Sequence, residues 1–236
     1  ESIFNENGKF FCDNLDLKST PEGLSKKFEV NLFGRKSNKK RAHEIKLKNI
    51  KIFSNIFSYI SSVINASKNT DTKFLIISIT PYTFIISLFI RLLGKSPIIY
   101  LRSDGFGEYK AILGKIGPII YYLMFSITTS ISNLISVRKY ILRGKKGIVI
   151  NPSQLDSNWL RKSKTPDLRK FNLLYVGRIR PEKGITSFAN LIKNKRDISL
   201  TIVGAEKDTS YKINQSNINI YQNQTNKKKL IKFYDD

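Results

Sequence analysis

From residue 73 onward, short apolar runs alternate with segments whose apolar residues recur at helical spacing. "KFLIISITP" (73–81) is nearly continuous in Leu and Ile, as a strand buried on both faces must be, and Pro81 closes it. "YTFIISLFIRLLGK" then predicts a helix that stops at Gly94. "SPIIYLRSDG" (96–105) predicts the next strand, followed by a helical stretch interrupted near Gly117-Pro118. "NLISVRKYILR" (133–143) pairs a short strand with a short helix, and "GIVINP" (147–152) predicts one more strand. Strands joined by helices must cross over and pair in parallel, so the pattern specifies an α/β fold with doubly wound parallel sheets.

The alternation breaks once. Residues 153–170, "SQLDSNWLRKSKTPDLRK", are polar and carry a proline. The pattern resumes with a strand at 171–177, a helix at 185–195, strands at 198–204 and 217–221, and a helical start in "TNKKKLIKFY". Two tandem Rossmann-like domains are therefore expected: one over 1–150, a linker or crossover over 151–170, and a second over 171–236 that is cut short. A chain of 236 residues has room for both, at about 100–200 residues per domain. It opens at Glu1 and closes inside a helical pattern, so a piece of a longer protein is expected. The first forty-odd residues are weakly patterned; "KFEVNLFGR" (27–35) predicts a strand, and "IKIFSNIFSYISSVINASK" (50–68) a helix.

A formal charge of +23 admits three readings. Phosphate neutralisation on nucleic acid is one, and attraction to an anionic membrane surface is another. The third is compositional drift, since 30 of the 41 basic residues are Lys, alongside 34 Ile and 20 Asn, as an AT-rich coding sequence would give. "SNKKRAHEIKLK" (37–48) lacks the interleaved aromatics on which bases stack, so nucleic acid is not an expected partner. The basic, partly apolar stretch 110–146 suits peripheral membrane docking, or is simply a solvated face. Two longer apolar runs, 74–90 and 116–131, fall short of the ~20 residues of a membrane span and are expected in the core. Tyr82 and Trp159 are likewise expected to pack rather than to touch a ligand.

Cys12 and His43 are the only residues of their kinds. Internal disulfides, Cys-rich zinc sites and, unless His43 serves alone, a Ser-His-Asp triad are excluded. His43 lies in a basic polar stretch and is expected at the surface, and a reducing, cytoplasmic setting fits the cysteine count.

"LLYVGRIRPEKG" (173–184) is the stretch that carries chemistry. A buried strand stops at Gly177, Arg178, Arg180 and Lys183 crowd the turn, and Gly184 opens a helix. Open α/β sheets bind ligands at the carboxyl ends of their strands, where helix N-terminal amides add partial positive charge. Gly177 allows close backbone approach, Arg178 offers a bidentate fork and Lys183 a point charge, which together could neutralise a diphosphate. The spacing is neither a Walker A loop nor G-x-G-x-x-G. On the residues alone, a phosphate site and a set of solvated loop cations both stand.

"VGRIRPEKG" resembles the donor-site signature of the retaining GT-B glycosyltransferases of the "group 1", family 4 class, V-G-R-[LIVF]-x-x-x-K-G. "SLTIVGAEKD" is similar to that family's next strand, L-x-I-V-G-x-G, and "NINIYQNQTNKKKLIKFYDD" to the segment after it. "LISVRKYI" and "IVINPSQLD" resemble the elements that close the family's acceptor-side domain. The resemblance implies transfer of a sugar from a nucleotide-diphosphate-sugar to a hydroxyl of a glycan or lipid-linked acceptor, with retention of configuration. It implies no metal and no cofactor, and a place in polysaccharide or lipopolysaccharide synthesis on the cytoplasmic side of a membrane. Arg178 and Lys183 would hold the diphosphate in the catalytic role, and Gly177, Gly184 and Gly204 would shape the donor site. Arg102 and Asp104, in "LRSDG", would face sugar or acceptor, although Asp104 equally suits an Asx turn before Gly105.

Departures from the family pattern keep two alternatives open: an inactive nucleotide- or anion-binding module, and a basic nucleic-acid-binding protein. The family's Glu-x7-Glu motif would lie beyond Asp236, and its N-terminal-domain histidine has no counterpart. Glu206 stands where Gly is common, and Gln222-Asn223 replace a Phe-Gly type turn.

Overall fold

A computed structural model of the chain describes residues 2–152, 171–177, 179, 183–195, 197–205, 216–224 and 226–235. The linker expected at 151–170 lies, from 153 on, outside the described residues, as do Trp159 and Arg178. The chain divides into two units, Glu1–Gln154 and Leu155–Asp236.

The first unit opens with a five-stranded sheet in a stretch where the sequence shows little pattern. Its strands are β1 (Ser2–Glu6), β2 (Lys9–Cys12), β3 (Asn31–Ser37), β4 (His43–Ile45) and β5 (Asn49–Phe53), in the order β4-β2-β1-β3-β5. β1, β3 and β5 pair in parallel, while β2 and β4 join antiparallel. Asn7 and Gly8 form the two-residue loop of the β1–β2 hairpin, with φ of 52° and 80° and Glu6 opposite Lys9. Positive φ at both positions is what a hairpin turn matched to strand twist requires, and Asn-Gly supplies it with little strain. Helix α1 (Leu15–Leu24) covers this sheet, and Ile3, Cys12, Leu17, Leu32 and Ile45 form its buried cluster.

The helix expected at 50–68 splits in two. Ile50 and Ile52 belong to β5, and helix α2 (Ile56–Ser67) starts only where Asn55 accepts a hydrogen bond from the Ser58 amide. Ile52 and Ile56 fit one helical row by spacing, but the Ser54-Asn55 turn parts them.

The second sheet of this unit follows the expected alternation. Strands β6 (Leu75–Ile77), β7 (Ile98–Leu101), β8 (Asn133–Ser136) and β9 (Ile148–Val149) pair in parallel in that order. Helices α3 (Pro81–Leu92), α4 (Gly105–Leu113) and α5 (Gly117–Ser130) make the crossovers. Thr80 and Thr83 cap α3 reciprocally, and Pro81 opens it, where a missing N–H costs nothing. The expected break near Gly117-Pro118 is a 3-10 turn at Gly114–Ile116 between α4 and α5. Ile86, Ile90, Ile99, Leu101, Tyr121, Phe125 and Leu134 build one core beneath these helices. Each such fully buried aliphatic side chain is worth ~1.5–3 kcal/mol against exposure.

The second unit holds β10 (Phe171–Val176), β11 (Ile198–Ala205) and β12 (Ile218–Gln222), parallel in that order, with helices α6 (Ile185–Ile192) and α7 (Lys227–Asp235). Ile185, Ala189 and Ile192, at i, i+4 and i+7, bury one face of α6 against Leu200 and Ile202. The side-chain amide of Asn217 donates to the carbonyls of Ile192, Lys195 and Ile198 at 3.1, 3.3 and 3.0 Å. It thereby fastens the end of α6 to the start of β11. Parallel strands with helical crossovers in both units make the chain a Rossmann-like α/β protein.

Candidate functional site

In the second unit, parallel pairing sets the carboxyl ends of β10 and β11 on one edge. Val176 lies opposite Val203, so Gly177 and Gly204 follow as neighbours on that edge. The Gly177 amide donates to the Val203 carbonyl at 2.9 Å, which extends the ladder one step past β10. A Cβ on Gly177 would stand 3.1 Å from the Tyr175 hydroxyl, and its φ of 159° is one that side chains rarely adopt. A side chain here would have to push the Tyr175 ring aside by a few tenths of an ångström.

Gly184 sits at the N-cap of α6 with φ 67° and ψ 4°, and no side chain among the described residues caps the first-turn amides. No acid lies in that first turn to offset their partial positive charge. Lys183 is exposed just before it. Of the expected donor residues, the structure thus brings Gly177 and Gly204 side by side and places Lys183 and Gly184 at the start of the helix that follows. Arg178 falls outside the described residues.

In the first unit, the carboxyl ends of β7 and β8 open on a polar cleft of about 480 Å³. Arg102, directly after β7, pairs with Asp16 of α1 at 2.5 Å, and their side chains are 19% and 15% exposed. The Arg102 Nε is buried and meets no hydrogen-bond partner among the described residues. Ser136, buried at the end of β8, donates its hydroxyl to the Arg138 carbonyl at 2.9 Å and accepts from the Arg138 amide at 3.4 Å. That turn sets Arg138 on the cleft rim with Tyr140 and Asn151. Burial first, and then the Asp16 carboxylate, raise the pKa of Tyr100 in β7, with Arg102 opposing. Its phenol stays neutral at physiological pH. Two guanidiniums, a carboxylate, a phenol and an amide together suit a hydroxyl-rich or anionic ligand.

Asp104 is placed differently from Arg102. Its carboxylate accepts from the Phe106 amide at 3.3 Å, capping α4, and holds the Arg143 guanidinium at 3.1 and 3.2 Å. Arg143 in turn lies over the Phe106 ring, 4.7 Å from its centroid. The Asx-turn geometry is therefore present, and Asp104 does not line the cleft. Asp16, Arg138, Tyr140 and Asn151 were not singled out from sequence. Arg138 stood in the quoted "LISVRKYI", one turn past a strand end, and Asp16 carried no signal at all.

His43 is half-buried on β4 rather than fully at the surface. Burial holds its pKa below the usual value, with Lys18 adding to that effect and Asp13 opposing it. Tyr82 does not cap α3, a role Thr80 takes; the Arg35 guanidinium lies over its ring at 5.6 Å.

No protein-family model matches the sequence, and no curated protein matches it. Among solved structures, the chain is similar to S. aureus MnaA, solved together with UDP, at 13% identity and a TM-score of 0.50 over 99% of this chain and 69% of that one. It also aligns with a protein from Listeria monocytogenes, named as a UDP-N-acetylglucosamine 2-epimerase, at 12% identity and a TM-score of 0.49. That alignment covers 91% of this chain and 68% of the other. At such identities the likeness is one of fold. The shared fold is Rossmann-like α/β, in keeping with the strand pattern.

Proposed function

We propose that the chain binds a nucleotide-diphosphate-sugar through its second unit and transfers the sugar, with retention, to a hydroxyl of a glycan or lipid-linked acceptor. One observation carries the reading. Gly177 and Gly204 lie side by side at a carboxyl strand edge, and Lys183 and Gly184 open a helix that has no side-chain cap among the described residues. An edge of this kind suits an anion. The structure of S. aureus MnaA with UDP supports a fold able to hold a nucleoside diphosphate.

In this reading Gly177 and Gly204 let the diphosphate approach the backbone, and the first amides of α6 and Lys183 face its oxygens. Arg178 adds a bidentate fork. As the bond to the anomeric carbon breaks, charge gathers on the leaving diphosphate, and these fixed cations and dipoles stabilise it without a metal. Arg102 and the other polar residues of the first unit's cleft would receive the acceptor or the sugar. The reaction would take place in the cytoplasm.

Isothermal titration of the full chain with UDP, GDP and ADP tests the donor site. Charge-assisted hydrogen bonds contribute ~1.5–3 kcal/mol, so Lys183→Ala and Arg178→Ala should each weaken binding by roughly ten- to a hundredfold. Absence of binding by the unaltered chain, or indifference to both substitutions, would sink the reading. Binding without transfer, followed by anomeric proton signals in NMR, would leave the chain a nucleotide-binding module that has no transferase activity.

A further inference from the structure

The outer side of the α4–α5 hairpin breaks the ordinary rule for a surface helix, whose solvent face is polar. Helix α5, "GPIIYYLMFSITTS", contains no charged residue. Tyr121, Met124, Phe125 and Thr128 fill its inner face, while Ile119 (62% exposed), Tyr122 and Leu123 (57% exposed) project outward. Ile112, 74% exposed at the end of α4, and Ile116, 63% exposed in the intervening turn, add further apolar surface to the hairpin. Residues 105–150 carry seven basic side chains and one acid, Glu108, and both Lys110 and Lys115 are exposed on the hairpin itself.

We propose that this strip is a docking surface for an anionic lipid bilayer. The apolar side chains would enter the headgroup boundary, while the basic residues face the lipid phosphates. Charge selects this occupant over a second copy of the chain, because self-association would press one basic rim against another on molecules of charge +23. The helical run Gly105–Ser130 is long and apolar enough to cross a membrane by composition, yet its inner face is part of the core. The hairpin is also pinned: Gly117 packs directly on the Tyr109 carbonyl and Gly105 on the Tyr121 ring, where a Cβ would overlap. A crossing would strip that core, so the hairpin lies on the surface. The proposal stands independently of the donor-site reading.

Flotation of the full chain with phosphatidylcholine vesicles, with and without phosphatidylglycerol, tests it. Binding is expected with the anionic vesicles, weakening at least about tenfold between ~50 mM and ~500 mM NaCl as surface charges are screened. The double substitution Ile119→Glu and Leu123→Glu alters exposed positions only. It should lower binding about tenfold or more with an unchanged circular dichroism spectrum and Tm. Lys110→Ala with Lys115→Ala should weaken binding to anionic vesicles alone. Failure to float with either vesicle, or full binding by the glutamate variant, would overturn the proposal. So would a dimer in light scattering that the glutamate variant dissolves, since the strip would then belong to a second copy.

Discussion

Gly105 illustrates how a single missing carbon can organise a site. It follows Asp104 at the start of α4, and its Cα faces the Tyr121 ring so closely that an added Cβ would overlap the phenol. Tyr121 cannot retreat, because Phe106, Tyr109 and Phe125 surround it with ring centroids 4.9 to 6.0 Å away. Gly105→Ala should therefore destabilise the fold by ~1–3 kcal/mol, the usual cost of overpacking, and lower the Tm by several degrees in calorimetry. The sequence shows Gly105 only as the end of a turn. The ring that makes glycine obligatory comes from sixteen residues further on, where no local pattern links the two. Gly177 and Lys183 are legible for the opposite reason, since strand, turn and helix start are contiguous. Arg102 was marked by its place after a strand, whereas its partner Asp16 comes from a helix 86 positions earlier and could only be found in space.

Among elements, legibility followed the length of the apolar run. β6 and β7 are unbroken apolar runs, β10 and β11 keep Leu, Ile or Val at most of their central positions, and all four are where the alternation puts them. β1 and β2 are short, and the Asn7-Gly8 pair that joins them is a hairpin signal that the sequence reading passed over. The 50–68 segment shows a different difficulty, because period-2 and period-3.6 patterns overlap over a few residues and only the Asn55 cap separates strand from helix. Caps are then testable units. The Thr80 side chain accepts from the Thr83 amide, and Thr83 accepts from the Thr80 amide at 2.7 Å. Thr80→Ala removes one half of this box at the entry to α3. It should cost ~1 kcal/mol, with faster hydrogen exchange in the first turn of α3 and unchanged exchange in β11.

For the whole molecule, the alternation of strands and helices announced parallel sheets in two units, and that much was readable because crossover geometry leaves few options. It could not show that the first unit carries two sheets, one of mixed direction, because the pairing of β2 and β4 depends on contacts between distant short segments. Net charge acts at this scale too. At +23 the folded chain repels itself, and the ion pairs Lys18–Glu22, Lys40–Glu6 and Arg143–Asp104 offset only a small part of that. Raising NaCl from ~10 mM to ~150 mM shortens the Debye length from ~30 Å to ~8 Å. The Tm should rise over that range. A flat or falling Tm would mean that attractive pairs outweigh the repulsion.

Cys12 gives the chain a built-in stopwatch. Its thiol has 0% exposure, sits in the cluster under the first sheet and donates to the Asn14 carbonyl at 3.2 Å. A thiol-specific dye can reach it only while β2 is lifted from its neighbours. Since the sequence holds no other cysteine, the labelling rate, divided by that of the denatured chain, reads the fraction of time this one corner stands open.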